Sequence, residues 1–346
     1  MQPYRLRPAL ATLAAGVTLA AALTAAAAQD RQIALKLSHG FPAAHPLHAA
    51  VTQWAASLAQ GSNGTLAVAV HPDARLGKTF DHYDMARTGA ADIALAHPGL
   101  QIGRFPLIGA GELPLLFANA TGGSAAFDAW YRGYAANEMP DVKFCLAFVH
   151  DPGTIHTVRR KVEAPVDIGG MKVRTAQNTL AAFVRLLGGA EVRAAPSELR
   201  ELLVRGVAQA VTLPWQSAIL SGTDQIARNH LDLPLYTTPF ALVINKRRYA
   251  QMSEAQRAAL ERHCGNPWAA RIAGPWAAWE RAGRATMALR RGHEVYSISP
   301  AQVDAWRMAA EPLTVTWGAR VKRAGRDPDA ALKALKDELG KHGAAF

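Results

Sequence analysis

The sequence predicts an α/β protein of two lobes, on three observations. Residues 33–96 and 173–213 each run strand, helix, strand, helix, strand, the order of a parallel α/β unit. A further apolar strand at 241–245 lies beyond the second unit and reads as a return to the first. The 346 residues suit two such units, or one large one. The expected division is 31–150 with 238–346 as one lobe, and 151–237 as the other.

Each element has a local reason. Arg5 and Arg7 precede an Ala/Leu/Val run that ends in Ala26-Ala27-Ala28. Residues 1–28 therefore read as a secretory signal peptide, and a membrane anchor is the competing reading of an alanine-rich run. No later stretch reaches the ~18 apolar residues of a spanning helix. Alternation of apolar and polar residues predicts a strand at 33–38, and His45-Pro46 opens a helix to about residue 60. Strands follow at 65–71 and 92–96, with a helix from Gly77 to Thr88 between them. A helix at 124–138 and a strand at 143–150 lead through Gly153 to Thr157, the first crossover between lobes. The second crossover follows a helix expected at 217–229 and passes Tyr236-Thr237-Thr238-Pro239-Phe240. Helices at 254–264, 301–323 and 329–341 complete the chain, with a Trp-rich helical tract after the first that Pro275 should break or kink.

Composition narrows the function classes. Lysine and arginine total 38 against 27 acids, a net charge of +11. Removal of residues 1–28 would leave 36 basic residues and +9. That balance suits the capture of anions. The charges are scattered and no basic run carries interleaved aromatics, so nucleic acid is not an expected partner. Gly77-Lys78-Thr79 looks like the tail of a phosphate loop, but Pro72 stands where its first glycine belongs. His45 and His48 have helical spacing without a third ligand, and read as solvent or loop histidines. No metal or cofactor is expected. Cys145 and Cys264 lie far apart in sequence; export would permit a bridge, and two buried free thiols are the expectation.

The stretch around which the rest is organised runs from Gly169 to Trp215. Asn178 is placed to cap a helix whose Leu180, Phe183, Val184 and Leu187 share one face, closed by Gly188 and Gly189. A strand at 191–194, a helix after Pro196-Ser197 and a strand at 207–213 follow. Arg174 stands where a strand gives way to a loop, the edge at which open α/β sheets bind ligands. Its rigid guanidinium fork matches a carboxylate with two parallel hydrogen bonds. The competing reading is an ordinary surface arginine of a basic protein.

Pro165, Asp167, Gly170, Lys172, Arg174, Leu187, Gly188, Ala190, Val192, Glu198, Leu202, Gly206 and Val207 decide between these. The segment resembles the substrate receptors of tripartite ATP-independent periplasmic (TRAP) transporters, whose stretch runs roughly P-x-D-L-x-G-x-K-x-R, then L-G-A-x-P-V, then a helix ending A-L-x-x-G-V-V-D-G. Glu112-Leu113-Pro114-Leu115-Leu116-Phe117 resembles a turn of the same receptors. The resemblance implies a type II-like periplasmic binding protein, each lobe a mixed sheet flanked by helices, with a long C-terminal helix bracing both. It implies that Arg174 pins a ligand carboxylate in the cleft and that the receptor, a monomer, hands its ligand to small and large membrane subunits.

The departures set the pocket's character. Gln209-Ala210 replaces the family's Asp-Gly, Leu213 its polar residue before proline, and Ile155 a second arginine. These changes make the pocket less polar and, with Trp215, Phe240 and Phe41, point to an apolar or aromatic acid; core packing is the competing reading for Trp215. His39, His97, Gln101, His156 and Asn178 join Arg174, Trp215, Phe41 and Phe240 as candidate ligand contacts. The alternative functions are a periplasmic sensor feeding a signalling partner and, less favoured, an enzyme on the same fold.

Overall fold

The computed structural model describes residues 31–194 and 198–346. The signal peptide at 1–28 and the Pro196-Ser197 helix start lie outside the described residues. Strands occur in the order β1 (Ile33–Ser38), β2 (Leu66–His71), β3 (Ile93–Ala96), β4 (Val142–Val149), β5 (Thr154–Thr157), β6 (Lys172–Arg174), β7 (Ala190–Val192), β8 (Ala210–Leu213), β9 (Asn229–Leu231), β10 (Pro239–Asn245) and β11 (Glu294–Tyr296). They build two mixed sheets, ordered β2-β1-β3-β10-β4 and β11-β9-β5-β8-β6-β7. In each sheet the βαβ strands pair in parallel, while β10 in the first and β5 in the second run antiparallel to their neighbours.

The centre of the first sheet is covered on both faces. Ala94, Ala147, Ala241 and Val243 face one core, whereas Ile93, Leu95, Leu146, Phe148, Leu242 and Ile244 face the other. This is why 239–245 reads as a continuous apolar run and not as alternation. The helix Pro46–Gly61 lies on the second of these faces, burying Leu47, Ala50, Val51, Trp54, Ala55 and Leu58, a helical stripe. His45 caps it, its ring nitrogen accepting the Leu47 amide at 3.2 Å.

Two crossovers join the lobes and are bonded to each other. The Gly153 amide donates to the Tyr236 carbonyl at 2.8 Å, and the Leu235 amide to the Gly153 carbonyl at 3.0 Å. A side chain on Gly153 would place its Cβ 2.4 Å from the Tyr236 ring, so this contact requires glycine.

Two long helices brace the lobes. Helix Asn266–Leu289 buries Ala269, Ile272, Ala273, Trp276 and Ala277 in the first-lobe core. Farther along, Glu280 accepts from the Gln216 and Ser217 amides at 2.6 and 3.1 Å, from the Ser217 hydroxyl at 2.5 Å and from Trp276 Nε1 at 2.8 Å. The helix thus holds Trp215–Leu220 of the second lobe by its first turn, and a Cβ on Gly283 would come within 2.4 Å of the Gln216 amide. Helix Pro300–Arg323 spans the other way: Trp306 packs edge-on to Phe183, and Trp317 Nε1 donates to the Pro106 carbonyl at 2.8 Å.

Several expectations are corrected. Cys145 and Cys264 are not free thiols but form a disulfide, with Cα atoms 4.6 Å apart. β4 lies beside the turn that follows helix Glu254–Glu261, a proximity that 119 residues of separation conceal. Pro275 does not break its tract, which runs on as one helix. Pro275 and Arg271, whose carbonyl loses the proline's missing bond, both face solvent, where water can satisfy it. The helix expected at 217–229 ends at Leu220, because Gly222 takes a left-handed φ of 68°; a 3-10 turn and β9 follow. The helix expected from Gly77 begins in earnest at His82 after a 3-10 turn at Thr79–Asp81. β11, within the segment assigned to the first lobe, hydrogen-bonds to β9 in the second sheet, because helix Asn266–Leu289 delivers the chain there.

Candidate functional site

β6 is three residues long, and its alternation turns Val173 into one core and Arg174 to the opposite face, at the strand's end. Arg174 is only 8% exposed. Its Nε and Nη2 donate to the Ala194 carbonyl at 3.4 and 3.2 Å, and no carboxylate among the described residues pairs with it. Burial holds its pKa below the ordinary arginine value, with the nearby Tyr236 opposing that shift. Tyr236, on the second crossover, is buried, and its hydroxyl makes no hydrogen bond of normal geometry among the described residues. A buried cation with one weakly held acceptor is an incomplete arrangement.

From Tyr236 a continuous array of rings leads into the first lobe. His150 stands edge-on to Tyr236 at 5.4 Å and touches Trp276 at 5.4 Å. Trp276 meets His45 at 4.8 Å and Phe41 at 5.1 Å, and Phe41 meets Phe240 edge-on at 5.5 Å. Phe240 in turn packs on His97 at 5.1 Å and Phe148 at 5.4 Å. His39 supports this wall from behind: its Nδ1 accepts the Phe41 amide at 3.2 Å, so its proton sits on Nε2, which meets His48 Nδ1 at 3.0 Å. Burial, as the leading cause, lowers the pKa of His39, His45 and His150 to about 4 and of His97 to about 3. These rings are therefore neutral at neutral pH. His97 Nε2 has no hydrogen-bond partner among the described residues.

The second lobe contributes a separate cluster. His156 Nε2 meets the Leu213 carbonyl at 3.1 Å, and its Nδ1 meets His230 Nδ1 at 2.8 Å. His230 Nε2 meets His293 Nδ1 at 2.9 Å, and Arg228 donates to His293 Nε2 at 2.5 Å. With Arg228 as obligate donor, each neutral ring accepts one bond and donates the next, ending at Leu213. Burial first, then the neighbouring charges, lowers His230 to about 2; burial lowers His156 to about 4. Trp215 stands edge-on to His156 at 5.4 Å and packs with Ala218 and Met287; it touches no ring of the first-lobe wall.

Three placements differ from expectation. Asn178 is not the helix cap: Gln177 is, accepting the Thr179 and Leu180 amides at 2.7 and 3.1 Å. Asn178 instead donates to the Gly99 carbonyl across the lobes at 2.9 Å, beside a bond from Thr179 to Glu112 at 2.6 Å. Gln101 is tied to the Phe80 carbonyl, Asp84 and Arg104. Both line a cavity of about 190 Å³ with Glu112, Trp317 and Arg320, which does not include Arg174 or the aromatic wall. Burial raises Glu112 to about 7, partly offset by Thr179. His45 is not a solvent histidine but 6% exposed in the wall.

His45, His150, Tyr236 and Trp276 were not among the predicted site residues. Tyr236 is placed by pairing with Gly153, and Trp276 comes from a helix over 100 residues from Arg174, so neither carries a local signal. Tyr236 thus links a buried cationic fork in the second lobe to a row of neutral rings in the first. Groups of these kinds offer donors to an anion and flat faces to an apolar body.

The profile of the family described as "Bacterial extracellular solute-binding protein, family 7" matches residues 37–319. A curated relative, an outer membrane transporter protein of Comamonas testosteroni, is 28% identical over 63% of this chain and 66% of its own length, just under two thirds. Among solved structures, a marine-metagenome TRAP solute-binding protein specific for aromatic acid ligands, with 3-hydroxybenzoate, is 27% identical. It covers 90% of this chain and 99% of its own at a TM-score of 0.81. A TRAP solute-binding protein of Bordetella bronchiseptica with bound mandelates is 26% identical, covering 89% and 99%, also at 0.81. One from Rhodoferax ferrireducens, with copurified benzoate, is similar in fold at 0.81 and 24% identity, covering 90% and 99%.

Proposed function

For a chain that belongs to family 7 of the bacterial extracellular solute-binding proteins, we propose a TRAP receptor whose ligand is an aromatic monocarboxylate. The observation that carries this reading is Arg174, a buried guanidinium without an acid partner among the described residues, joined through Tyr236 to an array of neutral aromatic rings. The ligand carboxylate completes the guanidinium and the ring lies along Phe41, Phe240, His97 and Trp276, the offset or edge-on contact that aromatic faces favour. Ile155 and Leu213, apolar where related receptors of polar acids carry polar groups, support an aromatic ligand over a polyhydroxy acid. The neighbours that bind hydroxybenzoate and mandelate point the same way. The receptor acts outside the cytoplasm after loss of residues 1–28 and delivers its ligand to two membrane subunits without altering it. No helix among the described residues is long and apolar enough to cross a membrane.

Thermal melting with benzoate, mandelate, 3-hydroxybenzoate, pyroglutamate and glucuronate tests this assignment. A ligand at 100 times its Kd adds about 2.7 kcal/mol to stability. The aromatic acids should raise the melting temperature by several degrees. A larger rise with glucuronate or pyroglutamate would overturn the aromatic assignment, and mass spectrometry of the copurified ligand checks it independently.

A further inference from the structure

We propose that Tyr236 is a second carboxylate donor, its hydroxyl binding one ligand oxygen while the Arg174 fork engages the carboxylate from its own side. The inference rests on the carboxylate-receptor reading and extends it to a residue on the crossover between the lobes.

Tyr236 is 1% exposed and its hydroxyl makes no hydrogen bond of normal geometry among the described residues, although buried polar groups are bonded almost without exception. The ring cannot swing out to find water. Its backbone is paired to Gly153, its ring lies against the bare Gly153 Cα, and His150 stands edge-on at 5.4 Å. The Thr212 hydroxyl lies near enough to lower the phenol's pKa, but it already accepts the Ala176 amide at 2.9 Å, and its contact with the Tyr236 hydroxyl falls outside hydrogen-bond geometry. Phenylalanine would fill the same space without the cost of an unbonded hydroxyl, so the oxygen is explained by a partner that arrives.

The neighbour that shapes that partner is Arg174, whose charge Tyr236 feels. Burial raises the phenol's pKa, opposed by Arg174 and by the neighbouring Thr212 hydroxyl and aided by Glu280, so it stays a donor throughout the physiological range. Two donors without an acid between them select a group that only accepts. A carboxylate has two oxygens and enough lone pairs for the guanidinium fork and an O–H at once. A primary amide turns two hydrogens towards one of these donors and is rejected. Because Tyr236 lies on the crossover, the same bond ties ligand capture to the segment that joins the lobes.

Calorimetry of Tyr236→Phe and Arg174→Ala with benzoate, mandelate and 3-hydroxybenzoate tests the pair. Tyr236→Phe should weaken binding about 10- to 100-fold, the range for a hydrogen bond to a charged group. Its ligand-free urea midpoint should match or exceed wild type, since the variant removes an unbonded hydroxyl; a merely structural tyrosine would lower it. Wild-type affinity in Tyr236→Phe with loss in Arg174→Ala overturns this inference alone. Wild-type affinity in both, or failure of all three acids to bind the wild type, overturns the underlying reading too. As a check without mutation, benzoate should shift the Tyr236 signal in protein carrying 13Cζ-tyrosine and benzamide should not; no shift with benzoate counts against the bond.

Discussion

Glu280→Ala should destabilise the ligand-free protein by about 4 kcal/mol. The carboxylate is fully buried, and its two oxygens accept four bonds, from two backbone amides, a serine hydroxyl and the Trp276 indole. A buried donor left unsatisfied costs about 1–3 kcal/mol, and four at the low end sum to about 4. Glu280→Gln is the sharper probe. Its remaining oxygen can keep the Gln216 and Ser217 amides, and the Ser217 hydroxyl can rotate to accept from the new NH₂. Only the indole is stranded, so the loss should be about 1–2 kcal/mol. Urea denaturation followed by circular dichroism measures both. Equal losses, or a loss below about 1 kcal/mol for alanine, would refute the argument that this carboxylate fastens the second lobe to the bracing helix.

Two further predictions follow from the titrating and covalent groups. His45, His97 and His150 should show no NMR titration between pH 8 and 5, because burial lowers them to about 4, 3 and 4. The unfolded chain protonates them near 6.5, so each contributes stability that is complete above that pH and is lost as pH falls towards 4, at up to about 1.4 kcal/mol per unit; a ring midpoint near 6.5 would contradict this. Reduction of Cys145–Cys264, or Cys145→Ser, should lower the melting temperature, since a loop of 119 residues confines the unfolded chain by up to about 5 kcal/mol. An unchanged melting curve would mean the bridge adds nothing.

The two-lobed α/β architecture was legible because its strands and helices are long or strongly periodic. β10 announced itself as an unbroken apolar run, and Leu180, Phe183 and Val184 marked a helix face that is buried. What escaped was short or distant. β9 and β11 have three residues each, below the length at which a period shows, and they pair only because a 24-residue helix carries β11 across the molecule. Arg174 was readable because strand, turn and loop sit together in sequence. The wall beside it was half readable: Phe41, His97 and Phe240 follow or lie on strands of one sheet, whereas Trp276 and Tyr236 reach the array through the bracing helix and the paired crossovers. Trp215 shows the limit of composition as a guide, since an aromatic after a strand serves packing as well as it serves a ligand.

The most direct test of the account is calorimetric titration of wild type, Arg174→Lys and Arg174→Ala with an aromatic acid that binds the wild type, and with its amide. Truncating one partner of a buried charge pair costs about 2–5 kcal/mol, a weakening of roughly 30- to several-thousand-fold for alanine. Lysine keeps the charge but loses the planar fork, so it too should bind less well than arginine. The amide should fail against all three. Wild-type affinity for the acid in Arg174→Ala, with the fold intact by circular dichroism, would contradict the carboxylate clamp.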